Sequence, residues 1–198
     1  MERSERGAAL LVGERVVSEA RPARVPLDLP TPVGFADALR ATEAFDVEAY
    51  AAHHPFPTCY TCGPGRPDDD GLGLFPAPIS RTPVTVTWPW VPDASLPNED
   101  DVVDPAIVWA ALDCPSGLAW MVDPGSAPAV LGRMTAEVRR RPRVGEPLVV
   151  AGWRIAADGR KLHAGSAVWS NGGEVVAANA ATWIMLTDEQ HGTFSPAG

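Results

Sequence analysis

The last third of the chain carries short runs in which apolar and polar residues alternate, the pattern of strands in an antiparallel sheet. The runs are Ala129 to Arg139, Pro147 to Ala156, Arg160 to Ser170 and Gly173 to Leu186. The segments between them are Val144-Gly145-Glu146, Asp158-Gly159 and Asn171-Gly172, of which the last two are strong hairpin signals. We therefore predict a four-stranded meander. A further strand is predicted at Val84 to Val91, where Pro89 suggests a sheet edge or the end of the strand.

A run that is apolar on every side precedes the meander. Ala106 to Leu112 consists of seven apolar residues, and a helix that is apolar all round is a buried helix. Asp104 followed by Pro105 is typical of a helix start, because the Asp side chain can cap free backbone N–H groups and Pro is tolerated at the first helical position. A sheet that curls round this helix would bury it. We predict an α+β fold in which an antiparallel sheet wraps around a central helix.

Asp113 is the one carboxylate that falls at the end of this apolar run. A buried carboxylate is costly in its charged form unless it has a partner, which makes Asp113 the first candidate for a functional site. The alternative is that Cys114-Pro115-Ser116-Gly117 ends the helix, since residues before Pro avoid the helical region. Asp113 would then be an exposed last-turn residue or the cap of a second short helix. The residues themselves leave both interpretations open.

Composition divides the chain into four segments. Residues 1–52 are predicted to form an appendage, with two short strands around Gly13-Glu14 and a short helix within residues 34–45. Residues 53–82 are dense in Pro and Gly and are predicted to form one long ordered loop. Residues 83–187 form the predicted sheet-and-helix domain, and residues 188–198 a loose polar tail.

Cys59 and Cys62 form a C-x2-C knuckle within the Pro- and Gly-rich segment. This spacing lets two thiolates reach one zinc ion, and a tetrahedral site needs two more ligands. His53, His54 and Cys114 are available for that purpose if the loop folds onto the end of the helix. The simpler interpretation is a pair of reduced cysteines that pack the loop. A thioredoxin-like redox role is less favoured, because no helix begins after Cys62.

The overall composition is that of an ordinary soluble globular protein, with 45% hydrophobic and 21% charged residues. An N-terminus unlike a signal peptide, an odd number of cysteines and the lack of a bilayer-length apolar run lead us to expect a cytoplasmic protein with no membrane partner. A net charge of −9 argues against a nucleic-acid partner. Between Val130 and Gly165, however, eight basic and three acidic residues give a balance of +5, which could hold an anionic ligand or line a solvated face.

These elements, in this order, resemble the hotdog-fold acyl-CoA thioesterase superfamily, particularly its phenylacetate-type branch. That branch carries a His-Gly-Gly helix start and, nine residues after the His, a helix Asp or Glu. Asp104, Pro105 and Ala106 stand at the His-Gly-Gly positions of this sequence, and Asp113 stands at the carboxylate. The resemblance runs from residue 83 to residue 186 and includes the turn at residues 141–146.

The resemblance implies hydrolysis of a small-molecule acyl-CoA thioester with no required cofactor. Asp113 would act as general base or nucleophile, and the backbone N–H of Ala106 would polarise the thioester carbonyl. Pro105 has no N–H, so one donor of the family pattern is missing here. That gap favours an alternative function, a non-catalytic hotdog module that binds acyl-CoA or an acyl chain. A hydratase or dehydratase would pair the carboxylate with a His, which the two turns after Asp113 do not supply.

The resemblance also implies a homodimer or higher homo-oligomer, with the acyl site between protomers. Arg141 and Arg143 would then bind the phosphates of coenzyme A. Trp109, one turn before Asp113, would line the acyl pocket, with Asp104 beside the substrate at the helix start. The simpler interpretation of Trp109 is a core tryptophan that faces the sheet.

Overall fold

The computed structural model of the protein describes residues 2–4, 7–26, 28–67, 70–123 and 125–194. The elements in chain order are β1 (Glu2–Ser4), β2 (Gly7–Val12), β3 (Arg15–Ala20), α1 (Phe35–Glu43), α2 (Val47–His53), β4 (Ala77–Arg81), β5 (Val84–Trp90), β6 (Asn98–Glu99), β7 (Val102–Val103), α3 (Pro105–Met121), β8 (Ala129–Val138), β9 (Leu148–Asp158), β10 (Lys161–Ser170), β11 (Val175–Met185) and α4 (Asp188–Phe194). No described helix has both the length and the apolar character needed to cross a membrane.

The main sheet has six antiparallel strands in the order β4-β5-β9-β10-β11-β8. The four strands predicted from residue 129 onward are present, and β9, β10 and β11 form a meander because their turn signals act locally. The four-stranded meander is wrong at its first connection, since β8 pairs with β11 and not with β9. Of the two positions suggested for Pro89, the end of the strand is the correct one, since β5 ends at Trp90. Strand β5 is not an edge strand, because it pairs with β4 on one side and β9 on the other. The edge strand β4 lies inside the segment predicted to be one long loop. Pro78 made this segment resemble a loop in the sequence, although Pro is tolerated on an edge strand.

Helix α3 runs through Pro115 to Met121, so the alternative in which it ends near Cys114 is wrong. Pro115 cannot donate the helical hydrogen bond of its turn. The carbonyl that loses this donor is that of Ala111, and the next carbonyl, that of Leu112, is held by the sheet, because Ser166 Oγ and Asn179 Nδ2 donate to it at 2.5 and 2.8 Å. Strand β9 passes close by, and a Cβ on Gly152 would overlap the Pro115 carbonyl. Contacts from the sheet therefore carry the helix past its proline.

The core lies between α3 and the inner face of the sheet, as the predicted wrapping requires. Val108 and Leu112 of α3 are fully buried and belong to a cluster that also includes Val150 and Val168. Trp109 is 43% exposed, so the core position favoured for it is wrong. The helix is apolar on nearly all sides, yet the sheet does not cover the side of its first half that carries Trp109.

The N-terminal segment covers the outer face of the sheet. Trp153 and Trp169 stack there with ring centroids 6.1 Å apart, and Leu29 and Val33 pack against them. The hairpin around Gly13-Glu14 is present, with β1 added to it. Besides β1 and β4, the elements that were not predicted are helix α2, the short hairpin β6-β7 in the acidic linker, and helix α4 in the tail that was expected to be loose.

Candidate active site beside the central helix

A partly open cavity of about 210 Å³ lies beside the second half of α3. Its walls come from the segment after α2, from α3 itself and from strands β8 and β11. The lining residues are mostly apolar or sulfur-containing: His54, Pro55, Phe56, Cys59, Cys62, Asp113, Cys114, Leu118, Met121, Ala129, Val130, Leu131 and Trp183. Apolar walls with a few polar groups are typical of small-molecule sites.

Asp113 is the one carboxylate among these lining residues. It is largely buried, and its Oδ1 atom has no hydrogen-bond partner among the described residues. Burial raises the pKa of Asp113 to about 6, and the negative charge of the nearby Cys59 thiolate adds to this. The interpretation of Asp113 as an exposed last-turn residue is therefore wrong. A carboxylate held in an apolar cavity with a free oxygen can accept a proton from a bound molecule.

Three sulfur atoms meet beside Asp113. Cys59 and Cys62 come from the loop and Cys114 from α3, and their Sγ atoms all lie within 4.8 Å of one another. The Sγ atoms of Cys59 and Cys114 are 3.4 Å apart, and all three cysteines are free of disulfide bonds. Thr61 Oγ1 donates to the Ala110 carbonyl at 3.0 Å, which fastens the loop to the helix. The loop thus folds onto the helix, the condition set for a metal site.

The thiols of this cluster differ in acidity. Hydrogen bonds from Cys114 and Cys62 lower the pKa of Cys59, so Cys59 carries the thiolate. Hydrogen bonds with Cys59 and Cys62, together with burial, raise the pKa of Cys114. The thiolate of the cluster is therefore on Cys59, while Cys62 and Cys114 hold their protons.

Of the two histidines considered as ligands, only His54 reaches the cluster. Its Nε2 atom lies 3.4 Å from Cys62 Sγ, its Nδ1 accepts from the Phe56 N–H at 3.0 Å, and burial lowers its pKa. His53 is exposed, and its Nδ1 hydrogen-bonds with the Ala49 carbonyl at 3.0 Å. The cluster accordingly consists of three sulfurs with one neutral imidazole at its border.

The start of α3 does not border this cavity. The Asp104 carboxylate caps the helix by accepting from the Ala106 N–H at 2.7 Å, so that donor is already engaged. Asp113 lies seven positions after Ala106 along the helix, a rise of about 10 Å. Trp109 is exposed and is also absent from the cavity wall. Within one chain, the proposed base and the proposed carbonyl-binding group are therefore apart.

Most arginines of the basic stretch already have partners. The Arg141 guanidinium donates to the Val103 and Val102 carbonyls at 2.7 and 2.9 Å, and Arg140 bridges Glu146 and Glu174. Arg143 is exposed and forms no ion pair among the described residues. Of the two arginines assigned to coenzyme A, Arg143 is the one whose guanidinium is available to an anion.

The cavity wall includes residues that the sequence reasoning missed, notably Leu118, Met121 and Trp183. Leu118 and Met121 follow Cys114 along the same side of α3, at four and seven residues. This helical spacing was a usable signal only if the helix was extended past Pro115. Trp183 comes from β11, and nothing in the local sequence connects it with Asp113.

Comparison with known proteins gives the fold a wider setting. No family model and no curated protein matches the sequence. Among solved structures, zebra fish thioesterase superfamily member 2 matches with 16% identity and a TM-score of 0.50 over 56% of this chain and 80% of that one. A hypothetical thioesterase from Streptococcus pneumoniae TIGR4, solved with coenzyme A, matches with 13% identity and a TM-score of 0.47 over 51% of this chain and 80% of that one.

The PaaI protein of the E. coli phenylacetic acid degradation operon is also similar, with 14% identity and a TM-score of 0.43 over 51% of this chain and 74% of that one. The likeness to the zebra fish protein, taken with the sheet order and the central helix, identifies the fold as the hotdog fold. The predicted α+β hotdog architecture is thereby confirmed. At these identities the likeness concerns the fold, and the site must be argued from this chain's own residues.

Proposed function

We propose that this protein hydrolyses a small-molecule acyl-CoA thioester, with Asp113 as general base or nucleophile. The observation that carries the proposal is a buried carboxylate with an unpartnered oxygen in an apolar, partly open cavity on the central helix. Apolar walls suit an acyl group, and the carboxylate is the basic group that hydrolysis needs.

In the general-base form of the reaction, Asp113 takes a proton from a water molecule held in the cavity. The oxygen of that water bonds to the thioester carbonyl carbon, the carbon–sulfur bond breaks, and the leaving thiolate of coenzyme A takes up the proton. Leu118 and Met121 would hold the acyl group against this side of α3. The reaction uses a carboxylate and water only, so it requires no cofactor.

The proposal includes a homodimer, because one chain leaves the site incomplete. Strand β8 is an edge of the sheet and supplies Val130 and Leu131 to the cavity wall. An exposed edge strand is a template for pairing with a second copy. Pairing there would extend the sheet and close the cavity, and a second protomer would supply donors for the thioester carbonyl that the engaged Ala106 N–H does not offer.

For the coenzyme A moiety we propose Arg143 as a phosphate contact. Its exposed guanidinium lies on the turn between β8 and β9 and forms no ion pair among the described residues, since the nearby Glu146 carboxylate pairs with Arg140. Arg141, by contrast, is engaged with two backbone carbonyls and contributes to the fold. A cytoplasmic location, expected from the sequence, would suit a coenzyme A ester as substrate.

One observation favours the alternative of a non-catalytic module that binds acyl-CoA or an acyl chain. Pro105 has no N–H and the Ala106 N–H is held by Asp104, so the helix start offers no free donor at these two positions. A module of this kind would bind the ligand without stabilising the charge that develops on the carbonyl oxygen during hydrolysis.

A panel of acyl-CoA esters tests both functions. Release of free coenzyme A is followed together with thermal stability, because a ligand that binds only the native state must stabilise it. We expect turnover and a higher melting temperature for at least one ester. Stabilisation without turnover would replace the enzyme by the binding module, and neither effect across short, long and aromatic acyl groups would reject both.

A further inference from the structure

The sulfur cluster beside Asp113 is more than a thioester hydrolase of this design needs. We propose that Cys59, Cys62 and Cys114 bind one zinc ion, with its fourth coordination position directed to the cavity. The three thiolates come from two parts of the chain, so the ion would fasten the loop to α3. This inference is independent of the hydrolase proposal, and its tests do not use turnover.

The distances among the sulfurs fit tetrahedral coordination. A zinc ion with bonds of about 2.3 Å to sulfur holds its sulfur ligands about 3.8 Å from one another. Here one pair is 3.4 Å apart and all three lie within 4.8 Å of one another, so closing around an ion needs shifts below about 1 Å. Thiolates favour soft or borderline metals such as zinc over magnesium or calcium.

The loop is shaped to hold thiolates. The backbone N–H groups of Cys62 and Thr61 are hydrogen-bond donors to the Cys59 sulfur. Gly63 N–H donates to the Cys59 carbonyl at 2.9 Å, and a Cβ on Gly63 would overlap the backbone of Cys59 and Pro57. Only glycine fits the end of this tight turn, so the two loop sulfurs are held on one side before any metal binds.

His54 supports the site from outside the coordination sphere. Its Nδ1 accepts a hydrogen bond from the Phe56 N–H, so the neutral ring carries its proton on Nε2. That N–H points to the Cys62 sulfur at 3.4 Å, the arrangement expected of a donor to a metal-bound thiolate. To coordinate zinc through Nε2, His54 would need a free lone pair on that nitrogen, which carries the proton instead. The fourth position is therefore left to water or to a ligand in the cavity.

A disulfide bond and the packing of neutral thiols are the two alternatives to a metal at this cluster, and each fits the geometry less well. A disulfide between any two of these cysteines leaves the third as a lone thiol, and all three are free here. Packing of three neutral thiols would need no backbone donors aimed at Cys59 and no matching geometry, since a thiol is only a weak hydrogen-bond partner. Zinc uses all three sulfurs together with the backbone donors.

The first test is metal analysis of the full chain purified under reducing conditions without added metal. We expect about one zinc per chain in the wild type and a loss of at least about tenfold in Cys59→Ser and Cys114→Ser. His54→Ala should keep the ion but bind it about 10- to 100-fold more weakly in a chelator competition, the usual effect of removing an outer-sphere partner. His53→Ala, an exposed neighbour, is the matched control and should behave as the wild type.

Cobalt substitution keeps the proposal testable if a cysteine variant fails to fold. Wild-type protein stripped of metal and given Co²⁺ should show sulfur-to-cobalt charge-transfer absorption and the intense visible bands of a tetrahedral ion. Bound zinc should also protect all three thiols from alkylation, as read by mass spectrometry. Any one of three results would overturn the proposal. These are stripped protein that gives no such bands after Co²⁺ is added, a disulfide bond in protein kept under reducing conditions, and iron in place of zinc.

Discussion

The Ser116 hydroxyl connects the two elements that carry the cavity. Ser116 is fully buried on α3, where it donates to the Asp113 carbonyl and accepts from Trp183 Nε1, both at 2.8 Å. Trp183 lies on β11 and forms part of the cavity wall. Ser116→Ala should therefore destabilise the protein, although alanine is the better helix former.

The loss of stability in Ser116→Ala is set by the indole N–H that the missing hydroxyl leaves without an acceptor. Trp183 is only 6% exposed, so its indole N–H would lose its acceptor in a place that water scarcely reaches. An orphaned buried donor costs about 1 to 3 kcal/mol, and the gain in helix propensity returns about 0.5 kcal/mol. We expect a net loss of about 1 to 2 kcal/mol in the free energy of unfolding, which for a chain of this length lowers the melting temperature by about 2 to 8 °C.

Urea denaturation followed by tryptophan fluorescence measures this loss, with Ser18→Ala on the exposed strand β3 as the surface control. A double-mutant cycle isolates the hydrogen bond, because in the Trp183→Phe background no indole N–H remains to be orphaned. Ser116→Ala should then cost close to nothing beyond the cost of Trp183→Phe. An unchanged unfolding free energy in the single variant, or equal costs in both backgrounds, would refute the reasoning.

Two further predictions concern the outer parts of the site. Arg141→Ala should lower the melting temperature because it removes charged donors from the Val102 and Val103 carbonyls. Arg143→Ala should leave the melting temperature unchanged and weaken coenzyme A binding about 10- to 100-fold. This loss of affinity should be smaller at high salt. Calorimetric titration at two salt concentrations measures the affinity, and no change with Arg143→Ala would place the phosphates elsewhere. Leu131→Lys on edge strand β8 should convert a dimer into monomers in sedimentation, whereas Ile79→Lys on the other edge strand should not. A wild-type monomer at micromolar concentration would contradict the dimer.

The parts of the fold that were predictable are those specified by neighbouring residues. The hairpins at Asp158-Gly159 and Asn171-Gly172 depend on turn chemistry within a few residues, and the start of α3 depends on Asp104 and Pro105. The passage of α3 through Pro115 was not predictable in this way. It relies on side chains of β10 and β11 and on the close approach of β9, which come together only in the folded chain.

The candidate site shows the same division. Asp113 was found because a carboxylate beside a long apolar run is unusual, and Cys59 and Cys62 because their spacing is a local signal. The sequence left open whether Cys114 meets the loop sulfurs, since a contact across 55 residues is not visible in a local pattern. Trp109 shows the opposite error, because hydrophobic character did not determine which side of the helix the sheet covers.

The central claim is that Asp113 performs the chemistry in the cavity, and Asp113→Asn tests it most directly. This substitution keeps the shape of the side chain and removes the basic oxygen, so the fold and the zinc content should be retained. In a protein that hydrolyses an acyl-CoA, we predict that turnover falls by at least about 100-fold, the lower end for loss of a general base, with stability unchanged or slightly higher. Full activity in Asp113→Asn would contradict the account.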